Sequence, residues 1–156
     1  MSLNGTTKRW TKRSVNDVFV DTSAFFALAN LADRHHTEAL AAFEATVGHA
    51  DLKTSDHVIV ETWYLLRSRL GRAAAMAFWD GFDRGAVAIV GVTAQDFRRG
   101  REIAQEWSDQ AFSIVDCTSF ALIERFDIRR AFAFDKHFRI VRFGWRRRRA
   151  LQIVPH

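Results

Sequence analysis

The sequence predicts an α/β domain, a three-layer α/β/α sandwich around a mostly parallel central sheet. Three observations carry that prediction. Short apolar runs alternate with helix-period segments along the chain; no segment repeats; and two apolar runs, Val18-Phe19-Val20 and Ala131-Phe132-Ala133-Phe134, end on carboxylates, Asp21 and Asp135. Such alternation builds parallel sheets with helices on both faces. Open α/β sheets keep their ligands beyond the C-terminal ends of the strands, so two acids on two strand ends imply one acidic crevice.

Length and composition frame the prediction. A chain of 156 residues fits one domain, and a domain of that size buries about 70% of the surface its unfolded chain exposes. Hydrophobic residues make up 48%, with fourteen Phe and five Trp against one Pro and eight Gly, which excludes a disordered or low-complexity chain. No apolar run reaches the roughly 18 residues needed to span a bilayer, and the start lacks a signal-peptide pattern, so a cytoplasmic protein is expected. Cys117 is the only cysteine, which leaves neither a disulfide nor a cysteine-based zinc site within one chain.

Residues 1–14 are polar, basic and aperiodic and are expected to form a flexible arm; residues 15–156 make the single domain. The first strand, 18–20, runs into Thr22-Ser23, the cap of a short helix through Leu28, which places Asp21 at the strand end. A loop is expected over 30–36, where the neighbouring His35 and His36 lack a third ligand at zinc-like spacing. An amphipathic helix follows over 37–47, with Leu40, Phe43 and Val47 on one face and Thr37 as cap. Residues 52–54 read as a strand, and Ser55 or Asp56 caps a helix over about 57–70 that stops at Gly71. That helix is apolar almost all round, so it should be packed on several sides, and Glu61 shares a face with Val58 and Leu65.

Residues 71–83 read as a helix, 86–92 as a buried strand and 93–107 as a helix capped by Thr93. Beyond the break at Ser108-Asp109-Gln110, the helix over 112–126 starts with Ser113-Ile114-Val115-Asp116, a capping-box pattern. The strand ending at Asp135 follows. Either 140–143 or 151–154 is the closing edge strand.

Each acid alone has an ordinary explanation: Asp21 and Asp135 as strand-end acids, Glu61 as a rim charge, Asp116 as a helix cap. In a parallel sheet, however, the strand ends and the start of the Asp116 helix fall on one edge. Like charges that close repel strongly away from bulk water, and a hard divalent cation such as Mg²⁺ or Mn²⁺, which prefers oxygen ligands and phosphates, is their natural compensation. The net charge of +5 complements this acidic hole. Lys8, Arg9, Lys12 and Arg13 near one end, with Arg142, Arg146, Arg147, Arg148 and Arg149 near the other, hold nine of the 23 basic residues; clusters of this kind attract polyanions such as nucleic acid, and either cluster alone reads equally as a solubilising tail or a partner-binding arm.

The motifs Val20-Asp21-Thr22-Ser23, Val60-Glu61-Thr62, Ser113-Ile114-Val115-Asp116-Cys117-Thr118-Ser119-Phe120 and Ala133-Phe134-Asp135-Lys136-His137-Phe138, in this order and at these distances, resemble the PIN-domain nucleases, and among them the VapC-type toxins of prokaryotic toxin–antitoxin pairs. The resemblance spans about residues 18–143. It implies a Mg²⁺- or Mn²⁺-dependent endoribonuclease, a homodimer, and a small antitoxin partner. By motif match Asp21, Glu61, Asp116 and Asp135 form the catalytic acids, with Asp21, Asp116 and Asp135 on the metal and Ser23 and Ser119 orienting ligands from behind. The four arginines Arg146 to Arg149 are expected to bind RNA phosphates. The antitoxin is expected in an apolar groove near Phe25, Leu28, Leu40 and Phe43.

Rival readings are a stand-alone RNA-processing nuclease and a non-catalytic PIN-like binding module, whose usual sign is loss of acids. A phosphatase of the haloacid-dehalogenase kind needs a second aspartate where this chain has Ser23. Serine-nucleophile chemistry lacks its Gly-x-Ser-x-Gly elbow.

Overall fold

The structure is a computed structural model that describes residues 14–156; the basic arm expected over residues 1–14 lies, apart from Ser14, outside the described residues. Five strands form one fully parallel sheet in the order β3-β2-β1-β4-β5, with β1 at Asp17–Val20, β2 at Asp51–Ser55, β3 at Val87–Val90, β4 at Arg130–Phe132 and β5 at Gln152–Val154. Its helices are α1 (Thr22–Ala29), α2 (His36–Thr46), α3 (Asp56–Arg69), α4 (Arg72–Asp80), α5 (Ala94–Glu106), α6 (Ile114–Phe126) and the single turn α7 (His137–Ile140). The chain builds outward from β1 through β2 to β3, then crosses back to β4 on the other side of β1. The β1–β4 neighbours are thus the point where the winding reverses, and there the crossovers part to leave a crevice above the strand ends.

β1 is central because it can be buried throughout: Val18, Phe19 and Val20 are 0–1% exposed and join the core with Phe132, Phe120 and Phe138. A register of Val18 against Arg130 and Val20 against Phe132 sets the two acid-bearing strand ends side by side. Beyond the exposed Asp51, the polar residues of β2 are also buried and each is answered. Lys53 forms an ion pair with Asp17 of β1, both at most 2% exposed, and the Thr54 hydroxyl donates to the Val20 carbonyl at 2.8 Å.

Local chemistry fixes the helix starts. Ser55 caps α3 by accepting from the Val58 amide; Thr93 with Asp96 and Ser113 with Asp116 form reciprocal capping boxes on α5 and α6. Gly100 lets those two helices touch, since a Cβ there would stand 3.2 Å from the Cys117 carbonyl carbon. Arg99 then clasps the outer side of the pair, reaching Glu102, Glu106 and Glu124.

Several expectations are corrected. β4 stops at Phe132, three residues before Asp135, because residues 133–136 turn over the sheet edge; Asp135 stands on that turn. α2 buries Ala39 and Thr46 while Leu40 is 43% exposed, and His35 rather than Thr37 occupies its cap position without a side-chain bond. α3 is not enclosed all round: Val60 and Tyr64 are exposed. β3 is only partly buried, because it is an edge strand, and its Ile89 faces solvent. The helix expected over 71–83 ends at Asp80 and tightens into a 3₁₀ turn over Gly81–Arg84. The closing edge strand is β5, since residues 137–140 form α7.

The buried Asp17–Lys53 pair makes a first prediction. Removing one member strands the other charge in the interior, which costs about 3–5 kcal/mol. Lys53→Met should lose that much in urea unfolding, and the Asp17→Leu/Lys53→Met double variant should recover most of it. A single-variant loss below about 1 kcal/mol would mean the pair is solvated.

Candidate active site

Asp21 follows β1 directly and caps α1. Its Oδ2 accepts from the Ser23 amide at 3.0 Å and the Ser23 hydroxyl at 2.6 Å, and its own amide donates to the Phe132 carbonyl of β4. The start of α1 offers partial positive charge to this carboxylate. Ser23 does more than hold Asp21: its hydroxyl oxygen accepts from the amides of Phe134 at 2.9 Å and Asp135 at 3.2 Å. One side chain therefore ties the end of β1 to the turn after β4, and so sets the spacing of the first and last acids.

Asp116 is fixed at the start of α6 by its capping box, with Oδ2 accepting from the Ser113 amide at 3.0 Å. The same Oδ2 lies 2.8 Å from His137 Nδ1, which is also 3.5 Å from Asp135 Oδ1. Asp135 Oδ1 in turn accepts from the His137 amide at 2.8 Å. Glu61, on α3, has Oε2 2.6 Å from the Thr22 hydroxyl, which donates to it across from α1. All four acids line a single crevice of about 370 Å³, together with Thr22, Ser23, Ser113 and His137.

The electrostatics follow from this crowding. Burial is the main force raising Asp21 from 3.8 to about 7; the two Ser23 bonds oppose it and the nearby Asp116 charge adds to it. Burial also raises Glu61, with Thr22 opposing and the charges of Asp116 and Asp135 adding. Two of the acids thus hold protons more tightly than free carboxylates. That is the condition of a site short of positive charge.

The donors fit a hard divalent cation. Asp116, Asp135 and His137 each offer a ligand atom, all within 4.8 Å of one another. Asp21 lines the same crevice but is outside that trio, its Oδ2 being turned to Ser23. Carboxylate oxygens suit Mg²⁺ or Mn²⁺, and no thiolate competes, Cys117 being buried with its thiol pushed up to about 11 by burial.

The four acids expected from the sequence are therefore brought together, as is Ser23. Ser119 is not: it is fully buried, and its hydroxyl makes no hydrogen bond among the described residues, so it does not reach Asp116. Asp109 stays in its exposed loop beside Gln110. His35 stacks on Phe134 and His36 meets the Ala27 carbonyl, both structural contacts. Two crevice residues were not singled out by sequence reasoning, His137 and Thr22. The Asp-x-His spacing of Asp135 and His137 on a turn was the available signal for the first; nothing local in the sequence marked Thr22 as the partner of Glu61.

Within the arginine run, Arg147 stacks on Trp107 and donates to the Glu106 carbonyl, while Arg149 donates to the Ile128 carbonyl and pairs with Asp127. Ile128 precedes β4 and Asp135 follows it, so the run sits toward the opposite end of that strand from the crevice. Arg146 and Arg148 are exposed.

Residues 18–144 match the family model described as PIN domain. VapC20 of Mycobacterium tuberculosis, a 23S rRNA-specific endonuclease, is 37% identical over 123 residues, covering 78% of this chain and 91% of that protein. Ribonuclease VapC26 of the same organism is 28% identical over 127 residues, covering 80% and 92%. Among solved structures, M. tuberculosis VapC20, described as a sarcin-ricin loop cleaving toxin, superposes with a TM-score of 0.72 at 34% identity over 76% of this chain and 90% of that one. VapBC2 of Rickettsia felis superposes at 0.67 over 88% and 98%, and at 12% identity that likeness concerns the fold.

The raised Asp21 yields a pH prediction. Its proton is held more tightly in the folded state than in the unfolded chain, where an aspartate titrates near 3.9. Stability is therefore lost as pH climbs from about 4 to about 7, and the full penalty, about 4 kcal/mol, is present above that. Without divalent cations, Asp21→Asn should gain on wild type by several kcal/mol at pH 8 and by only about 1.5 kcal/mol at pH 5. Urea unfolding at the two pH values measures the difference, and a gap that does not change with pH would show that Asp21 is ionised in the folded protein throughout.

Proposed function

Because the chain belongs to the PIN-domain family, we propose that it is a divalent-metal-dependent endoribonuclease, the toxin of a toxin–antitoxin pair, acting on structured ribosomal RNA. The observation that carries this reading is the convergence of Asp21, Glu61, Asp116 and Asp135 on one crevice, in a chain 37% identical to a 23S rRNA endonuclease. Loss of acids would mark a binding module, and this crevice keeps all four.

Asp116 and Asp135 would hold the cation, with Asp21 beside them and His137 at their edge. When bound, Mg²⁺ or Mn²⁺ supplies charge neutralisation at the scissile phosphate and lowers the cost of ionising a water. The chain's own groups do the rest. Ser23 keeps the β1 and β4 ends in register, so Asp21 and Asp135 cannot drift apart under repulsion. His137, protonated at Nδ1, donates to Asp116 and holds it toward Asp135. Glu61, positioned by Thr22 and raised by burial, is placed to accept a proton from an attacking water.

RNA affinity is proposed to come partly from the arginine run. With Arg147 and Arg149 already bonded to backbone carbonyls and carboxylates, Arg148 and Arg146, the latter resting only on the exposed Trp145 ring, are the members available to phosphates. They would strengthen binding without reading sequence.

The antitoxin is proposed to occupy the apolar groove of about 480 Å³ lined by Phe25, Leu28, Phe43, Phe78, Phe82 and Val87. Three of the four expected residues line it; Leu40 does not, and α4 with its 3₁₀ turn supplies the second wall. An amphipathic helix suits such a groove. A homodimer is proposed as well, since Tyr64 and Trp79, joined through Trp63, expose aromatic surface on α3 and α4, with Val60 exposed on the same helix as Tyr64.

Asp116→Asn should lower Mn²⁺-dependent cleavage of 23S rRNA in isolated ribosomes by at least about a hundredfold, the upper end of what even the outer partners of a bound metal contribute, with the circular dichroism spectrum unchanged. Primer extension on the RNA reads it, and wild-type-like cleavage by the variant would remove Asp116 from the catalytic set. Replacing Arg146 and Arg148 with glutamine should flatten the log–log salt dependence of RNA binding by about 1.4–1.8, the value for two phosphate contacts. An unchanged slope assigns the run to another partner.

A further inference from the structure

A second cavity shares a wall with the acidic crevice. It holds about 230 Å³ between α5 and α6 and is lined by Phe97, Gly100, Ala104, Phe112 and Ile114, with Arg101 and Ser113. Gly100 lines it where the two helices come into contact, a Cβ there standing 3.2–3.3 Å from the Cys117 backbone and Thr118 Cγ2. The lining is apolar yet open: Phe97 is 52% and Ile114 67% exposed. Exposed large apolar side chains grouped at a concavity mark a binding surface, and this volume falls just below the roughly 300–1,000 Å³ of drug-sized ligand sites. It suits one planar ring system rather than a peptide helix.

Two contacts make it continuous with the crevice. Ser113 lines both spaces, and its hydroxyl accepts from the Asp116 amide at 3.0 Å. Phe112 meets the His137 ring edge-on at 5.1 Å, and His137 lines the crevice. A guest in the cavity would thus lie next to the residues that place Asp116. At the mouth stands Arg101, exposed and, among the described residues, in no ion pair.

We propose that this cavity is a nucleobase subsite: one unstacked base beside the scissile phosphate enters it and stacks against Phe97, while Arg101 meets a neighbouring phosphate. The proposal rests on the ribonuclease reading and adds to it where the RNA strand runs, from the crevice over Ser113 to the α5–α6 seam. An aromatic wall with a flanking cation is the chemistry that holds splayed bases in single-stranded segments of RNA. An acidic or aliphatic peptide would satisfy either Arg101 or Phe97, whereas a nucleotide satisfies both.

The test pairs protein and RNA changes. The cut made by wild-type protein in ribosomal RNA is mapped, an oligonucleotide carrying it is synthesised, and each of three nucleotides on either side is made abasic in turn. For wild type, one position should lower kcat/KM by about tenfold, as expected for loss of one stacked base. Phe97→Ala, which removes the wall, and Ala104→Trp, which fills the space, should each lose about the same on the intact oligonucleotide and lose nothing more on the abasic one. Both positions are exposed, and thermal melts confirm folding. Equal abasic penalties in all three proteins would overturn the subsite while leaving the nuclease standing. A wild-type protein that cuts no RNA would overturn the ribonuclease reading and the subsite with it.

Discussion

The structure turns on carboxylates buried together where the sheet changes direction. Asp21, Glu61, Asp116 and Asp135 come from four elements and meet in one crevice, and burial there pushes Asp21 up to about 7. Neutral donors offset part of that cost: Ser23 to Asp21, Thr22 to Glu61, the α6 capping box to Asp116. They do not remove it, for burial still raises Asp21 and Glu61, with the charge of Asp116 adding to both and that of Asp135 to Glu61. A divalent cation is the group whose charge and ligand preference answer the remainder.

The rest of the fold serves to keep that crowding from relaxing. β1 and β4 must be neighbours for Asp21 and Asp135 to meet, and Ser23 then locks their ends with three hydrogen bonds from a single hydroxyl. Asp116 cannot swing away without breaking the start of α6, and α6 is held by its close approach to α5 at Gly100 and by the Arg99 cluster. Beneath the site, the Asp17–Lys53 pair pins β1 to β2 in the interior. Packing and the geometry of the crevice are thus joined at the same residues.

Much of this was legible in the sequence, for physical reasons. A strand end is announced when an apolar run stops on Asp, as at Val20-Asp21, and a capping box is a local pattern, as at Ser113 to Asp116; neither depends on distant residues. Asp21, Asp116 and Asp135, at or just beyond element ends, then converge because a parallel sheet puts those ends on one edge, and Glu61 joins them from within α3. What stayed hidden depends on tertiary approach. Thr22 meets Glu61 across 39 positions, and the cavity behind Ser113 lies between α5 and α6, which are apart in sequence and meet at Gly100. Strand burial misled where position in the sheet outweighed composition: residues 86–92 read as a buried strand, but the strand they contain, β3, lies at the sheet's edge. Ser119 sits one turn beyond Asp116, near in sequence, yet helix geometry buries it away from the acid.

The claim that a cation completes the crevice is tested most directly at Asp21 itself. Carboxyl ¹³C NMR of the aspartates, titrated with pH in the presence and absence of Mg²⁺, reads its protonation without relying on activity. The account predicts a midpoint near 7 for Asp21 without the ion, displaced downward by more than one unit when Mg²⁺ saturates the site. A midpoint near 4 without the ion, or one near 7 that Mg²⁺ leaves in place, would contradict it.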